Sequence, residues 1–340
     1  MMVDEMYVTD EANGKDWTLW LGDSCERMTE MVENSVDLSV SSPPFASLYV
    51  YSDSTRDLGN NSSREEFIEN YGYIIRELLR VTKPGRIACV HVQQVVTTKT
   101  VDGVVGLTDF RGDVIRAYVE NGWIFHGEVT VNKNPQAQAI RTKAQALMFV
   151  TKNKDSSMSR PALADYLLMF RKPGENQVPI KNDVSNEEWI DWAQPVWWNI
   201  KETNTLNERL GREDTDERHI CPLQLDFIER CIRLWSNKGE LVFDPFGGIG
   251  STADEAIKLG RRGMHRIEAV VLGCVGEADA RVGIHFERGD SVLMVPLAGM
   301  NEPAWCDKHG VAYYGPTCPI CDTENEEYWA DIGDASVYDL

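Results

Sequence analysis

Residues 242–252 read Val242-Phe243-Asp244-Pro245-Phe246-Gly247-Gly248-Ile249-Gly250-Ser251-Thr252, an apolar strand running into a glycine turn that opens a helix. Glycines at such a point let the backbone at a strand end approach a bulky ligand, as in nucleotide-binding α/β folds. The turn does not close with Gly-Lys-Ser/Thr, and Asp244 would repel an anion, so the loop suits a cationic ligand group better than a phosphate. Glu268, at the end of the next predicted strand, is placed to accept both hydroxyls of a ribose.

Working outward, Trp17–Leu21 is predicted as a strand ending at Gly22-Asp23, followed by a helix to Glu33 and a strand of period two over Val36–Val40. That strand delivers Ser42 to its C-terminal end. Ser63 and Glu66 have capping-box spacing for a helix running through Leu79, and 86–92 reads as a buried strand. Asp109–Asn121 is a helix stopped by Gly122, and 123–131 is the next strand. From 132 to 218 the alternation fails, and it resumes with a helix at 223–235, the 241–244 strand, a helix at 252–259 and a strand ending near Glu268. The pattern implies an α/β fold with a doubly wound, mainly parallel sheet, split by an inserted region. The expected divisions are 15–131, 132–218, 219–295 and 300–340.

The chain has 340 residues, enough for a full core, and a net charge of −20, which at first argues against a polyanionic partner. The charge is uneven, however. Between 131 and 172 stand eight basic residues against two acids, Asp155 and Asp165, whereas 322–340 holds seven acids and no base. An acidic body with a basic stretch is compatible with a nucleic-acid enzyme, and equally with a solvated helix face. Five of the eight cysteines are scattered, and no run of apolar residues is long enough to span a membrane, so a soluble protein of a reducing cytoplasm is expected.

About two hundred residues before the glycine loop lies Ser41-Ser42-Pro43-Pro44-Phe45. Together the two segments resemble the catalytic and cofactor loops of DNA methyltransferases that modify exocyclic amino groups, cytosine N4 or adenine N6. Their order is that of the circularly permuted β group. His219-Ile220-Cys221-Pro222-Leu223-Gln224 resembles the segment leading into that group's cofactor loop, and Leu48-Tyr49-Val50-Tyr51 and Gln138-Ala139-Ile140-Arg141-Thr142-Lys143 resemble phage-type modification methylases. After Glu268 the chain departs from the family, with Ala269-Val270-Val271-Leu272-Gly273-Cys274 in place of Leu-Lys and Ser-Tyr.

The resemblance implies a Rossmann-like S-adenosylmethionine-dependent methyltransferase fold acting on double-stranded DNA, in a bacterium or a phage-infected host. It implies cofactor contacts from Asp23, His219, Asp244, Pro245, Phe246, Gly248, Gly250 and Glu268, with Asp244 at the cationic end of the cofactor. An exocyclic amine is a poor nucleophile because its lone pair is conjugated into the ring. Catalysis then needs acceptors for its hydrogens, here the Ser42 hydroxyl and the Pro43 carbonyl fixed by Pro44, with Phe45 offering a face to a flipped base. Ser at the first loop position resembles the cytosine-N4 enzymes, but some adenine-N6 enzymes share it, so both bases stay open. The basic region would supply target recognition, with Arg141 and Lys143 as DNA contacts. Related enzymes often dimerise, which adds a homodimer to the expectations. A catalytically impaired DNA-binding relative and a protein or small-molecule N-methyltransferase are the alternatives.

Near the C-terminus, Cys306-x2-His309 and Cys318-x2-Cys321 form two ligand pairs with turn residues between them. Three thiolates and an imidazole would complete a tetrahedral structural zinc site, a small knuckle-like appendage.

Overall fold

The computed structural model describes residues 10–45, 58–61, 63–206 and 222–267, together with four short strands beyond them. The described residues fall into two compact units that divide between Leu272 and Gly273. In the first, nine strands form one sheet: β1 Asp10–Asn13, β2 Trp17–Leu21, β3 Val36–Ser41, β4 Thr82–Gln93, β5 Ile124–Val131, β6 Asp165–Arg171, β7 Val196–Trp197, β8 Leu241–Asp244 and β9 Arg262–Ile267. Their order is β1-β2-β9-β8-β3-β4-β6-β5-β7. Strands β2, β9, β8, β3 and β4 are mutually parallel, β6 runs antiparallel between β4 and β5, and β1 is antiparallel to β2.

The sheet is mainly parallel as expected, but it recruits part of the stretch from 132 to 218. Asp165–Arg171 buries Leu167, Leu168 and Phe170, and Val196–Trp197 closes the far edge with Trp197 fully buried. Only the short helices Pro135–Thr142, Phe149–Lys154 and Asn186–Trp192 stand among the irregular chain around these strands, so no regular strand–helix alternation marks them in the sequence.

Helices α1 Ser24–Thr29, α2 Arg64–Val81, α3 Phe110–Glu120, α4 Leu225–Trp235 and α5 Ser251–Lys258 flank the sheet. Ser63 caps α2 by accepting from the Glu66 N–H at 3.1 Å, and the helix buries Phe67, Tyr71, Ile74, Ile75 and Leu78. Helix α1 stops short of the expected Glu33. Asn34 adopts φ +56°, and its N–H and that of Ser35 bond to the Arg80 and Val81 carbonyls at the end of α2. Every residue of β3 is buried, so its period of two marks two covered faces, not one wet face. An irregularity between Val36 and Leu38 turns Val36 to one core and Leu38 and Val40 to the other.

Helix α4 covers the second face with Phe227, Ile228, Cys231 and Ile232. At the N-terminal end of the parallel strands a charged cluster is enclosed. Arg86, 1% exposed, makes a two-pronged pair with Glu240 at 2.6 and 2.9 Å, while Asp37 pairs with Lys83 at 2.6 Å and accepts the Leu241 N–H at 3.0 Å. Residues far apart in sequence are thereby joined beneath β3, β4 and β8.

The second unit contains two antiparallel strand pairs, Arg281–His285 with Val292–Pro296 and Ala304–Cys306 with Val311–Tyr313. Of the expected zinc ligands, the Cys306 side chain, His309, Cys318 and Cys321 lie outside the described residues. Among the described residues no helix is long and apolar enough to cross a membrane.

Candidate active site

The chain leaves β8 through α5 to reach β9 on one side and leaves β3 through α2 to reach β4 on the other, so β8 and β3 flank a point where the winding reverses. Ligands of open α/β sheets bind at the C-terminal ends of strands at such points. Both loops read from the sequence are there. Phe243 of β8 is in register with Ser39 of β3, and the parallel strands carry Asp244 and Ser42 to the same edge.

The glycine loop follows β8. Gly248 at φ +50° and Gly250 at φ +87° occupy the left-handed region that a side chain would strain, and Gly250 starts α5 without a side-chain cap. No side chain caps the first amides of that helix, and an added Cβ at Gly248 would meet only open space and the Phe246 carbonyl at 3.9 Å. Asp244, 5% exposed, accepts from the Phe246 N–H at 2.9 Å and the Thr252 hydroxyl at 2.8 Å. Burial raises its carboxyl to about 6 against the opposing effect of those two donors. Pro245 is buried and its carbonyl accepts from Ser24 at 2.6 Å, while the Phe246 ring is 6.0 Å from Tyr71. Asp23 is the N-cap of α1, bonded to the Cys25 and Glu26 amides. His219 and Glu268 lie outside the described residues.

The Ser-Pro-Pro-Phe loop leaves β3 beside this edge. Pro43 is buried, Ser42 and Pro44 are half-buried, and Phe45 lies against His91 and Phe110 with ring centroids 5.8 and 5.9 Å away. His91, on β4, was not evident from sequence. Its Nδ1 is 2.9 Å from the Ser42 hydroxyl and its Nε2 is 3.1 Å from Asp165 Oδ2. The second approach is off line, an electrostatic contact more than a straight hydrogen bond. Lys133 Nζ lies 2.5 Å from the same carboxylate oxygen, and Gln93 donates to the other at 2.6 Å. Burial pushes the Asp165 carboxyl up, but the charge and hydrogen bonding of His91 and Lys133 outweigh it and hold the group at about 2. Asp165 is thus an anion at neutral pH.

The basic stretch divides in two. Lys133 is buried on Asp165, and Lys172 bonds Asn34 and the Arg80 carbonyl. Lys143, which ends the helix Pro135–Thr142, is exposed, as are Lys152 and Lys154. Arg141 is on that helix, and its side chain lies outside the described residues.

A doubly wound sheet with a glycine loop and a Ser-Pro-Pro-Phe loop at its reversal point defines an α/β methyltransferase class. Residues 36–289 match the DNA methylase family of the N6 and N4 methylases, and the chain belongs to that family. It is 23% identical over 299 residues to the type II methyltransferase M.MjaI of Methanocaldococcus jannaschii, covering 76% of this chain and 91% of that protein. It is 27% identical over 257 residues to the type II methyltransferase M1.MboII of Moraxella bovis, covering 70% and 86%. Among solved structures, a provisionally assigned DNA modification methylase of Thermus thermophilus, crystallised with S-adenosyl-L-methionine, aligns with TM-score 0.54 at 22% identity over 73% of this chain and 86% of that one. The cytosine-N4-specific PvuII DNA methyltransferase aligns with TM-score 0.50 at 17% identity over 75% and 83%. These structures share the fold. The chain is thus an S-adenosylmethionine-dependent DNA methyltransferase of the amino-modifying type.

Proposed function

We propose that the protein methylates the exocyclic amine of a flipped cytosine (N4) or adenine (N6) at a specific duplex sequence, with Ser42, Pro43, Pro44 and Phe45 forming the base site. The observation that carries this reading is the meeting of the Ser-Pro-Pro-Phe loop and the Asp244 loop on adjacent parallel strand ends. S-adenosylmethionine supplies an electrophilic methyl group when bound. The Ser42 hydroxyl and Pro43 carbonyl hold the amine hydrogens and favour a pyramidal nitrogen, while Phe45 backs the base. Incubation with labelled cofactor and unmodified duplex DNA, followed by nucleoside analysis, tests it. N4-methylcytosine or N6-methyladenine is expected; a C5-methylated base, or label on protein alone, overturns it.

The glycine loop is compatible with a cationic ligand at Asp244. Because burial raises this carboxyl to about 6, it takes up a proton in mild acid that a bound cation must displace, so affinity for S-adenosylmethionine should weaken as pH falls from about 7 to about 5. Asp244→Asn should weaken binding by about 10-fold or more and flatten that pH dependence, the loss expected for a charge-assisted contact. Calorimetry reads both, and unchanged affinity in a folded variant removes Asp244 from the cofactor site. The ligand-free protein works in the other direction. An acid whose folded pKa lies above its unfolded one costs stability at neutral pH, and the cost is relieved as pH falls toward the unfolded value.

Target recognition is assigned to the segment between β5 and β6. Lys143, Lys152 and Lys154 are exposed there beside Phe149 and Ile140, 65% and 80% exposed, a mixture suited to phosphates and base edges. Arg141, next but one to Lys143 in the chain, is proposed as a further DNA contact.

A structural zinc site from Cys306, His309, Cys318 and Cys321 is proposed on ligand spacing. The first pair begins at Cys306, the last residue of the Ala304–Cys306 strand. Purified protein should carry about one zinc, and Cys318→Ser should release it. A folded protein free of metal, purified without chelator, counts against the site.

A further inference from the structure

We infer that His91, held by Asp165, takes the proton that the methylated amine must lose, with the Ser42 hydroxyl as the bridge. The inference rests on the amino-methylation reading above. It starts from the 2.9 Å contact between Ser42 Oγ and His91 Nδ1 and the 3.1 Å approach of Asp165 Oδ2 to His91 Nε2. An anion beside Nε2 selects the tautomer that carries its hydrogen there, leaving the Nδ1 lone pair to accept the Ser42 hydroxyl hydrogen. The Ser42 oxygen, with its own hydrogen so directed, presents lone pairs to a substrate amine.

Transfer forms an N–C bond with the amine lone pair, and the pair of the breaking C–S bond passes to sulfur, leaving a neutral thioether. The nitrogen is then cationic and must shed a hydrogen. That proton passes to Ser42 Oγ as the hydrogen of Oγ passes to His91 Nδ1. The serine ends neutral, and the positive charge ends on the imidazolium. Asp165 faces that charge, and Lys133 keeps the carboxylate from being an unpaired buried anion before the proton arrives. The charged groups facing His91 are Asp165 of β6 and, across that carboxylate, Lys133 after β5. The catalytic loop and α4 present Phe45 and Phe227, the latter with its ring centroid 5.3 Å away, so bulk water has little access from those sides. His91 is 8% exposed, Asp165 4% and Lys133 6%. Burial of three such groups is costly unless they are paired, and here each has its partner.

His91 acts through Ser42 and is therefore a positioning and proton-accepting residue. The test is the single-turnover rate of methyl transfer to duplex DNA against pH, with S-adenosylmethionine affinity measured in parallel. The parent should lose rate in acid, the behaviour expected when transfer needs a general base. His91→Gln should keep cofactor affinity, lose about 10²-fold or more in rate and lose the acid limb, the contribution expected of a general base. Asp165→Asn should shift the limb to lower pH. A His91→Gln protein that turns over at the parent rate, or keeps the same acid limb, overturns the inference. Nitrogen-15 NMR of histidine-labelled parent protein gives a readout independent of turnover and of any variant's folding. An Nδ1 that carries no hydrogen in the resting protein supports the relay, and a hydrogen on Nδ1 there overturns it. If the parent transfers no methyl to DNA, the functional reading has failed, which these outcomes keep separate from failure of the relay alone.

Discussion

Ser42→Ala protein should bind S-adenosylmethionine as the parent does and methylate duplex DNA about 10²–10³-fold more slowly, the size of effect seen when one fixed polar group at a reacting centre is removed. The serine side chain is small and half-buried, so alanine leaves the loop between β3 and the cofactor crevice in place. What disappears is the acceptor for an amine hydrogen and the link to His91 at 2.9 Å. The Pro43 carbonyl belongs to the backbone and survives, which keeps the loss below total. Rapid-quench assays with enzyme in excess over DNA measure the chemical step, and calorimetry measures the cofactor. A folded Ser42→Ala protein with parental turnover would remove this hydroxyl from the chemistry.

The two loops were legible because each follows a strand whose apolar run and turn residues are contiguous in the chain. Val242–Thr252 and Ser41–Phe45 declare strand, turn and ligand-facing backbone in about ten residues or fewer. The His91–Asp165–Lys133 group was not legible, because its members come from three strands or strand ends that are adjacent only in the sheet. Asp165 counts in the sequence as one of two acids in a basic run, and Lys133 as one of its cations, whereas in the fold they neutralise each other. One signal was available. His91 interrupts the apolar run 87–92, and a titratable side chain near the C-terminal end of a parallel strand stands where such sheets place their chemistry. The antiparallel β6 was hidden for a different reason. Only the short helices Pro135–Thr142 and Phe149–Lys154 precede it in an otherwise irregular segment, and its pairing with both β4 and β5 is entirely non-local.

The largest stability loss outside the apolar core is expected from Glu240→Ala, by about 3 kcal/mol, at the lower end of the cost of breaking a buried ion pair. Arg86 is 1% exposed, and its two bonds to Glu240 measure 2.6 and 2.9 Å. The variant leaves a guanidinium that can reach neither water nor a full partner. Asp37 stands 3.7 Å from the same guanidinium and keeps the loss from being larger. Glu240 also accepts from the Asn237 backbone and side chain, so the turn entering β8 loosens with it. Because β8 carries Asp244 at its other end, the disturbance starts at the foot of the strand that presents the cofactor loop. Burial raises the Glu240 carboxyl, and Arg86 and Asn237 more than offset this, holding it below its ordinary value. A depressed carboxylate contributes stability that is present above its unfolded pKa and is lost as pH falls through the folded one. Parent and variant should therefore differ most near neutral pH and converge in acid. Glu240→Gln, which keeps the shape and can still accept, should fall between them. Urea midpoints at about pH 7 and at a pH well below the ordinary glutamate range decide it, since a difference that does not shrink in acid would show that packing, not the charge of Glu240, holds the foot of β8.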